Sequence, residues 1–342
     1  MRISFNGKRI LKNILEFMKN KMETIVFMAP KWKGWTYYYY KDITDYLIQN
    51  YKDKYNIIFC NSLKDYFLWH FKKADIIFSI IPFFFKPLWA KKYIFNLHWN
   101  YKTERKSKNL WAKLQYLTEL NLWFSDKILL TSYFLADKLW FRDKYKDKIL
   151  ISPLFLKDIN SEIKKDFHLP LRLLTISSAN FLEKWMWVYD LAEQIFKIKD
   201  IDIYWTIVLP WNSNNKKVII DKVSKLSKWN NIKYNVLDFV SREKLGELYK
   251  ENDIFVYATW LDTRWWVIME ACSYWLPILM FPYELRNYIW YPEEFIVDSL
   301  ENWVKVILDS YEKRSELSCS FISNYSIENV IWTDFIDNIL KK

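Results

Sequence analysis

The sequence predicts an α/β protein built from two doubly wound domains, each a parallel sheet covered by helices. Three observations carry that expectation. From Glu23 onward, short β-rich runs alternate with longer helical patterns, the signature of repeated βαβ units. The rhythm pauses once, across a charged, proline-containing stretch at residues 152–170, and restarts at Leu171. The chain has 342 residues, enough for two cores of ordinary size.

Taken in order, residues 24–28 (TIVFM), 56–60 (NIIFC), 75–80 (DIIFSI), 93–97 (YIFNL) and 127–130 (KILL) are short apolar runs that read as strands of the first domain. Between them apolar positions recur at helical spacing, as over 37–51 and 109–124. The second half repeats the arrangement with strands expected over 171–176, 203–209, 232–237, 254–257 and 278–281, each followed by a helix. The expected organisation is a basic extension (1–21), a first domain (22–168), a second domain (169–325) and a terminal segment (326–342) whose helix, over 327–340, returns across the cleft. Ligands of such domains bind at the carboxyl ends of the strands and in the cleft between them.

The composition holds one anomaly: 20 tryptophans against 3 glycines. Together they make 23 residues of 342, close to the roughly 7% that glycine alone averages in globular chains. Many of the tryptophans stand where a residue without Cβ is expected. Examples are the loop Lys31-Trp32-Lys33-Gly34-Trp35-Thr36, the pair Trp265-Trp266 opening a helix, and Trp275 before Leu276-Pro277. Tight turns and loops that approach phosphate need positive φ or close backbone contact, which glycine supplies at least cost. The reading is that UGA encodes glycine in this gene and has been translated as tryptophan. The alternative is a tryptophan-rich protein. Trp69, Trp111 and Trp303 read as genuine in either case.

Other features exclude more than they assign. Hydrophobic residues make up 51% of the chain, so it is globular rather than disordered. The longest apolar run, residues 76–85 (IIFSIIPFFF), is broken by proline and far short of the roughly 20 residues that span a bilayer, so no transmembrane helix is expected. Residues 1–21 carry six Lys or Arg and one Glu, without the apolar core and cleavage site of a signal peptide. A basic amphipathic helix there would lie on an anionic membrane surface; a solvated extension, or a start at Met22, is the plainer reading. The net charge of +11 is spread along the chain among abundant Ile, Asn, Phe and Tyr, which fits an A+T-rich gene and argues against a nucleic-acid partner. Cys60, Cys272 and Cys319 are far apart and suit a reducing, cytoplasmic compartment. His70, His98 and His168 are too dispersed for a zinc site, and Asp200-Ile201-Asp202 reads as a chance carboxylate pair, so no metal is expected.

The densest constellation lies in residues 253–282, strand, loop, helix and strand. Asp262 and Glu270 are separated by seven residues, and Ala271 and then Trp275-Leu276-Pro277 follow. With Trp265 and Trp266 as glycines, the amides of a helix N-terminus would face a phosphate or sugar hydroxyl. A second segment, residues 177–185 (SSANFLEKW), follows the first strand of the second domain. On these residues the sequence resembles the retaining nucleotide-sugar glycosyltransferases of family 4. Their hallmark is two Glu separated by seven residues, an Ala, and Gly-x-Pro before a strand, with a Lys-Gly pair near the start of the second domain.

The resemblance implies the GT-B fold, two Rossmann-like domains with parallel sheets facing a central cleft. It assigns Glu270 to the donor ribose hydroxyls, Asp262 to the donor sugar and Lys184 to the donor diphosphate. Asp262 is one methylene shorter than the family's residue, and Ala179 stands where an Arg is usual, so a second phosphate contact has to come from elsewhere. Weaker matches place Gly34 and Trp35 in a loop facing the donor phosphates, His98 beside the sugar, and Val240 in the loop that packs on the base. Trp265 and Trp266 complete the expected donor site. The implied reaction moves a sugar from a nucleoside-diphosphate sugar to a glycan or lipid-linked acceptor, with retained configuration and no cofactor or metal. Cell-envelope polysaccharide or glycolipid synthesis at the inner membrane face, with peripheral membrane association, is the expected setting. The alternatives are a nucleotide-sugar epimerase of the same fold and a non-catalytic sugar-nucleotide or glycan-binding protein.

Overall fold

The computed structural model describes residues 22–30, 35–98, 115–152, 154–157, 159, 166–177, 182–199, 201–210, 214–228, 232–257, 266–280, 291–297 and 300–330. Packing divides the chain into two compact units, residues 1–97 with 116–129, and residues 98–115 with 130–342.

The first sheet has the strands β1 (Glu23–Met28), β2 (Tyr55–Cys60), β3 (Ala74–Ser79), β4 (Ala90–Asn96), β5 (Lys127–Leu130) and β6 (Ile149–Ile151), in the order β2-β1-β3-β4-β5-β6. The pairings of β1 with β2 and β3, of β3 with β4, and of β4 with β5 are parallel. Among the helices that accompany them are α1 (Trp35–Tyr51), α2 (Leu63–Leu68), α3 (Gln115–Phe124) and α4 (Phe134–Lys138). Five of these six strands match the sequence expectation to within three residues at each end. The sixth, β6, is three residues long and follows the charged stretch 142–148, too short to register as an apolar run.

The second sheet is built from β7 (Leu171–Ile176), α5 (Leu182–Ile195), β8 (Ile203–Val208), α6 (Asn214–Ser227), β9 (Ile232–Leu237), α7 (Arg242–Glu251), β10 (Ile254–Tyr257), α8 (Trp266–Ser273) and β11 (Ile278–Met280). Its order is β11-β10-β7-β8-β9, with parallel pairings throughout. The central strands β10, β7 and β8 are almost wholly buried, as expected where helices cover both faces. The edge strand β9 instead shows Lys233 to solvent, which discourages edge-to-edge pairing. After β11 come α9 (Leu300–Asp309), α10 (Tyr311–Ser323) and α11 (Ile327–Val330). The terminal helix expected over 327–340 is seen as α11, and its continuation lies outside the described residues.

Strand order reverses between β7 and β10, and that junction is fastened from below by one carboxylate. Asp253, immediately before β10, is fully buried. Its Oδ2 accepts from the backbone N–H of Arg172 at 2.8 Å and of His168 at 3.2 Å, and its Oδ1 lies 2.7 Å from His168 Nδ1. Its backbone carbonyl accepts from the Tyr311 hydroxyl at 2.9 Å, tying α10 to the same point.

Two helices end in the same way. Past α4, the Phe141 N–H donates to the Ala136 carbonyl and the Trp140 N–H to Asp137; past α8, the Leu276 N–H donates to Ala271 and the Trp275 N–H to Cys272. Each is a Schellman motif, in which the residue after the cap adopts the left-handed conformation and is usually glycine. Here that residue is Trp140 at φ 62° and Trp275 at φ 63°, the two non-glycine residues with positive φ among those described.

Asp253→Ala removes a buried acceptor shared by the backbone N–H groups of Arg172 and His168 and is expected to cost about 3 kcal/mol, read as a lower urea midpoint. The matched change Asp137→Ala, which removes an exposed pair with Arg142, should leave the midpoint unmoved. Trp140 is 90% exposed and so loses no packing when truncated. Trp140→Gly should therefore stabilise the protein by roughly 0.5–1 kcal/mol in the same experiment, through relief of the left-handed backbone.

Candidate functional site

β7 and β10 are the neighbouring strands from which chain connections leave in opposite directions, and open α/β sheets bind ligands outside the carboxyl ends of such a pair. The segment leaving β7 leads into α5, and the segment leaving β10 leads into α8. Both helices therefore begin at the same edge of the second sheet. Lys184 is the third residue of α5, Trp266 is the first of α8, and Glu270 lies one turn further along α8. Two segments that are about 80 residues apart in sequence are neighbours because their strands are hydrogen-bonded, Ile254 opposite Leu173 and Phe255 opposite Leu174.

Glu270 is held between two donors. Its Oε1 accepts from the Trp266 indole N–H at 2.7 Å, an i to i+4 contact along α8, and its Oε2 accepts from the Tyr249 hydroxyl at 3.1 Å. Tyr249 comes from α7, and its fully buried ring stacks on Tyr274 at 5.4 Å. Burial and the neighbouring Glu270 carboxylate push the Tyr249 phenol well above its ordinary pKa, so it stays protonated and donates. Gly246, one turn before Tyr249 on α7, permits this packing: a Cβ there would meet the Tyr274 hydroxyl at 2.6 Å. An indole at Trp266 thus stands against the carboxylate that the family resemblance assigns to the donor ribose.

Val240 lies in the turn between β9 and α7, two strands away from β7, beside an exposed Phe239. Ser241 caps α7 by accepting from the Lys244 N–H at 3.3 Å. The same edge holds a cation that the sequence reading did not single out. Lys216, in the first turn of α6, has its side chain almost buried, and its ammonium pairs with Asp238 at the end of β9. As one of two lysines in a polar run, Asn214-Asn215-Lys216-Lys217, it carries no signal in the sequence that would separate it from a solvated residue.

In the first sheet, Trp35 opens α1 after β1, and His98 follows β4, half-buried. Both belong to the carboxyl edge of that sheet, with β3 between their strands. Gly34, Asp262 and Trp265 lie outside the described residues. Among the described residues no three of His, Cys, Asp and Glu gather as metal ligands, and no helix is long and apolar enough to cross a membrane. Burial raises the Cys60 thiol to about 11 and pushes Cys272 higher still, so both remain unreactive thiols.

No family profile matches the sequence, and no curated protein matches it. Solved structures do. HepE of Anabaena, in complex with UDP and glucose, superposes with a TM-score of 0.65 at 12% identity, covering 94% of this chain and 100% of HepE. The fold is GT-B. A glycosyltransferase from Rickettsia africae ESF-5 matches the GT-B chain described here with a TM-score of 0.60 at 16% identity, over 93% of this chain and 100% of its own. The lipopolysaccharide outer core galactosyltransferase WaaB, in its apo form, gives 0.60 at 10% identity over 93% and 99%.

Proposed function

We propose that this protein is a retaining hexosyltransferase that takes its sugar from a nucleoside-diphosphate donor. The observation that carries the reading is the pairing of β7 with β10, which brings the starts of the helices bearing Lys184 and Glu270 to one edge of the sheet. In the proposed reaction the bond from the sugar C1 to the diphosphate oxygen breaks, and the acceptor hydroxyl oxygen forms the new bond on the same face. Its proton passes to the leaving diphosphate, so no separate protein base is required. Lys184 stabilises charge developing on that diphosphate, Glu270 accepts from the ribose hydroxyls, and Asp262 and His98 orient the sugar. Gly34, Trp35, Trp265, Trp266 and Val240 complete the donor site. A glycan or lipid-linked acceptor in cell-envelope polysaccharide synthesis, at the cytoplasmic membrane face, is the proposed setting; the likeness to a lipopolysaccharide core galactosyltransferase supports it.

The proposal includes glycine, encoded by UGA, at many positions written here as tryptophan. The two left-handed helix ends, at Trp140 and Trp275, support it. Read literally, the sequence keeps the Trp266 indole on Glu270, and that observation favours the second reading, a non-catalytic sugar-nucleotide or glycan-binding protein.

Codon sequence together with mass spectrometry of the protein from its native cells decides the first point: UGA codons with glycine at positions 140 and 275 are expected, and UGG codons with tryptophan refute the recoding. For activity, the glycine form is titrated with UDP-, GDP- and ADP-sugars by calorimetry and assayed for sugar release. Binding of one donor with slow hydrolysis or transfer is expected, and Glu270→Ala should weaken that donor about 10- to 100-fold through loss of charge-assisted hydrogen bonds. Binding without turnover favours the binding protein, release of an epimerised sugar favours an epimerase, and no binding refutes all three.

A further inference from the structure

The first unit exposes an aromatic face that the transfer reading does not use. On α2 and the turn after it, Leu63, Phe67 and Phe71 recur at four-residue spacing and all point to solvent, Phe67 54% and Phe71 62% exposed. Facing them across residues 81–89 are Phe84, 48% exposed, together with exposed Phe85 and Leu88. The rings form one surface: Phe67 stacks on Phe84 at 6.3 Å, Phe71 meets Phe85 at 5.9 Å, and His70 lies between the two rows, 4.5 Å from Phe85.

This exposure is built into rigid structure. The Tyr66 hydroxyl donates to the Pro82 carbonyl at 2.6 Å, and the Leu88 N–H donates to the His70 carbonyl at 3.0 Å. From α3, the fully buried Asn121 grips the backbone of Phe83 on both sides, accepting from its N–H at 2.9 Å and donating to its carbonyl at 2.7 Å. Four hydrogen bonds thus fix the backbone that holds these phenylalanines outward, where simple collapse would bury them. A contiguous exposed apolar patch of this kind marks an interaction surface.

The charges around it identify the partner. Residues 61–92 hold six lysines and two aspartates. Lys64, Lys72 and Lys73 are exposed, and none forms an ion pair among the described residues. Lys86 pairs with Asp126 and Lys91 with Asp75, which accounts for one of those two aspartates; the other, Asp65, accepts from Ser62 at the start of α2. Lysine is depleted from the cores of protein–protein interfaces, whereas exposed apolar side chains interspersed with lysines that form no ion pair suit the headgroup region of an anionic bilayer. We propose that the face formed by α2 and residues 81–89 docks this protein on an anionic lipid surface. The inference does not rest on sugar transfer, on residues 1–21, or on any tryptophan.

Co-sedimentation of the full chain with phosphatidylcholine vesicles, with and without phosphatidylglycerol, tests it. Binding should require phosphatidylglycerol and weaken with salt. The double variant Phe67→Ser with Phe84→Ser should reduce the bound fraction at least about tenfold with unchanged thermal melting, since both rings are half exposed. Lys64→Gln with Lys73→Gln, on exposed side chains, should also weaken binding and carries the test if the first variant is destabilised. Absence of binding, or binding that both variants retain in full, overturns the proposal. So does a dimer, seen by light scattering, that Phe67→Ser with Phe84→Ser dissolves, because the face would then belong to a second copy of this chain.

Discussion

The pairing of β7 with β10 is the contact on which the candidate site depends. It joins two strands that are distant in sequence, and through them it sets the starting points of α5 and α8. The ladder between them is short, two register pairs, so the sheet hydrogen bonds alone specify it weakly. A slip of one residue would turn every side chain of β10 to the other face and re-aim α8. The Asp253 carboxylate removes that freedom at the amino end. Further along, Thr175 donates from its hydroxyl to the Val256 carbonyl at 3.2 Å and accepts from the Trp205 indole at 3.1 Å. The junction is thereby fixed by buried polar bonds on both sides of its ladder, and each is satisfied, which is what makes a buried polar group specify structure instead of weakening it.

The same device recurs in the first sheet. Asp75 Oδ2 accepts from the Thr24 N–H at 2.7 Å, and Asp126 Oδ2 accepts from the Tyr93 N–H at 2.8 Å. In all three cases an aspartate at the start of one strand caps the backbone of its neighbour, while its other oxygen meets a nitrogen: Lys91 for Asp75, Lys86 for Asp126 and His168 for Asp253. The charge-assisted bond is worth more than a neutral one, and the second partner compensates the carboxylate as it leaves water. These clamps all lie at the amino edges of the sheets. The opposite, carboxyl edges are the ones at which open α/β sheets bind ligands.

Much of this was legible in the sequence, for identifiable reasons. Parallel strands buried on both faces are continuous β-branched and aromatic runs, and ten of the eleven strands stand out on that basis. The exception, β6, has three residues and no such run. The clamps are written as Ala74-Asp75-Ile76, Ser125-Asp126-Lys127-Ile128 and Asn252-Asp253-Ile254, an aspartate at the threshold of an apolar strand, yet the letters alone do not reveal which neighbour each will cap. In the site, helix starts could be placed for Lys184, Trp266 and Glu270 because strand ends predict them. Lys216 could not, since its burial depends on how α6 packs beside β9. Trp140 was opaque too: it stands between Leu139 and Phe141, both buried, and nothing in the letters shows that the helix end turns it to solvent.

The tryptophans therefore form more than one population, and composition cannot sort them. Trp205 is fully buried with its indole N–H bonded to Thr175, and Trp69 donates to the Cys60 sulfur at 3.1 Å; both are packed and satisfied as tryptophans. Trp187 is also buried, but its indole N–H has no partner among the described residues, an expensive state for a donor in a dry core. Trp140 and Trp275 occupy backbone that L-residues avoid, and their carbonyl-closing bonds are those of a glycine cap. Trp266 falls under neither argument. It opens α8 with helical backbone that any residue adopts, and its indole is satisfied by Glu270. Backbone geometry consequently does not separate tryptophan from glycine at this position. With an indole there, Glu270 accepts from a side chain of the fold at each oxygen; with glycine, Oε1 loses the indole N–H while Tyr249 still holds Oε2. One residue's identity thus decides whether Glu270 has a side-chain donor on its own helix, on an otherwise unchanged scaffold.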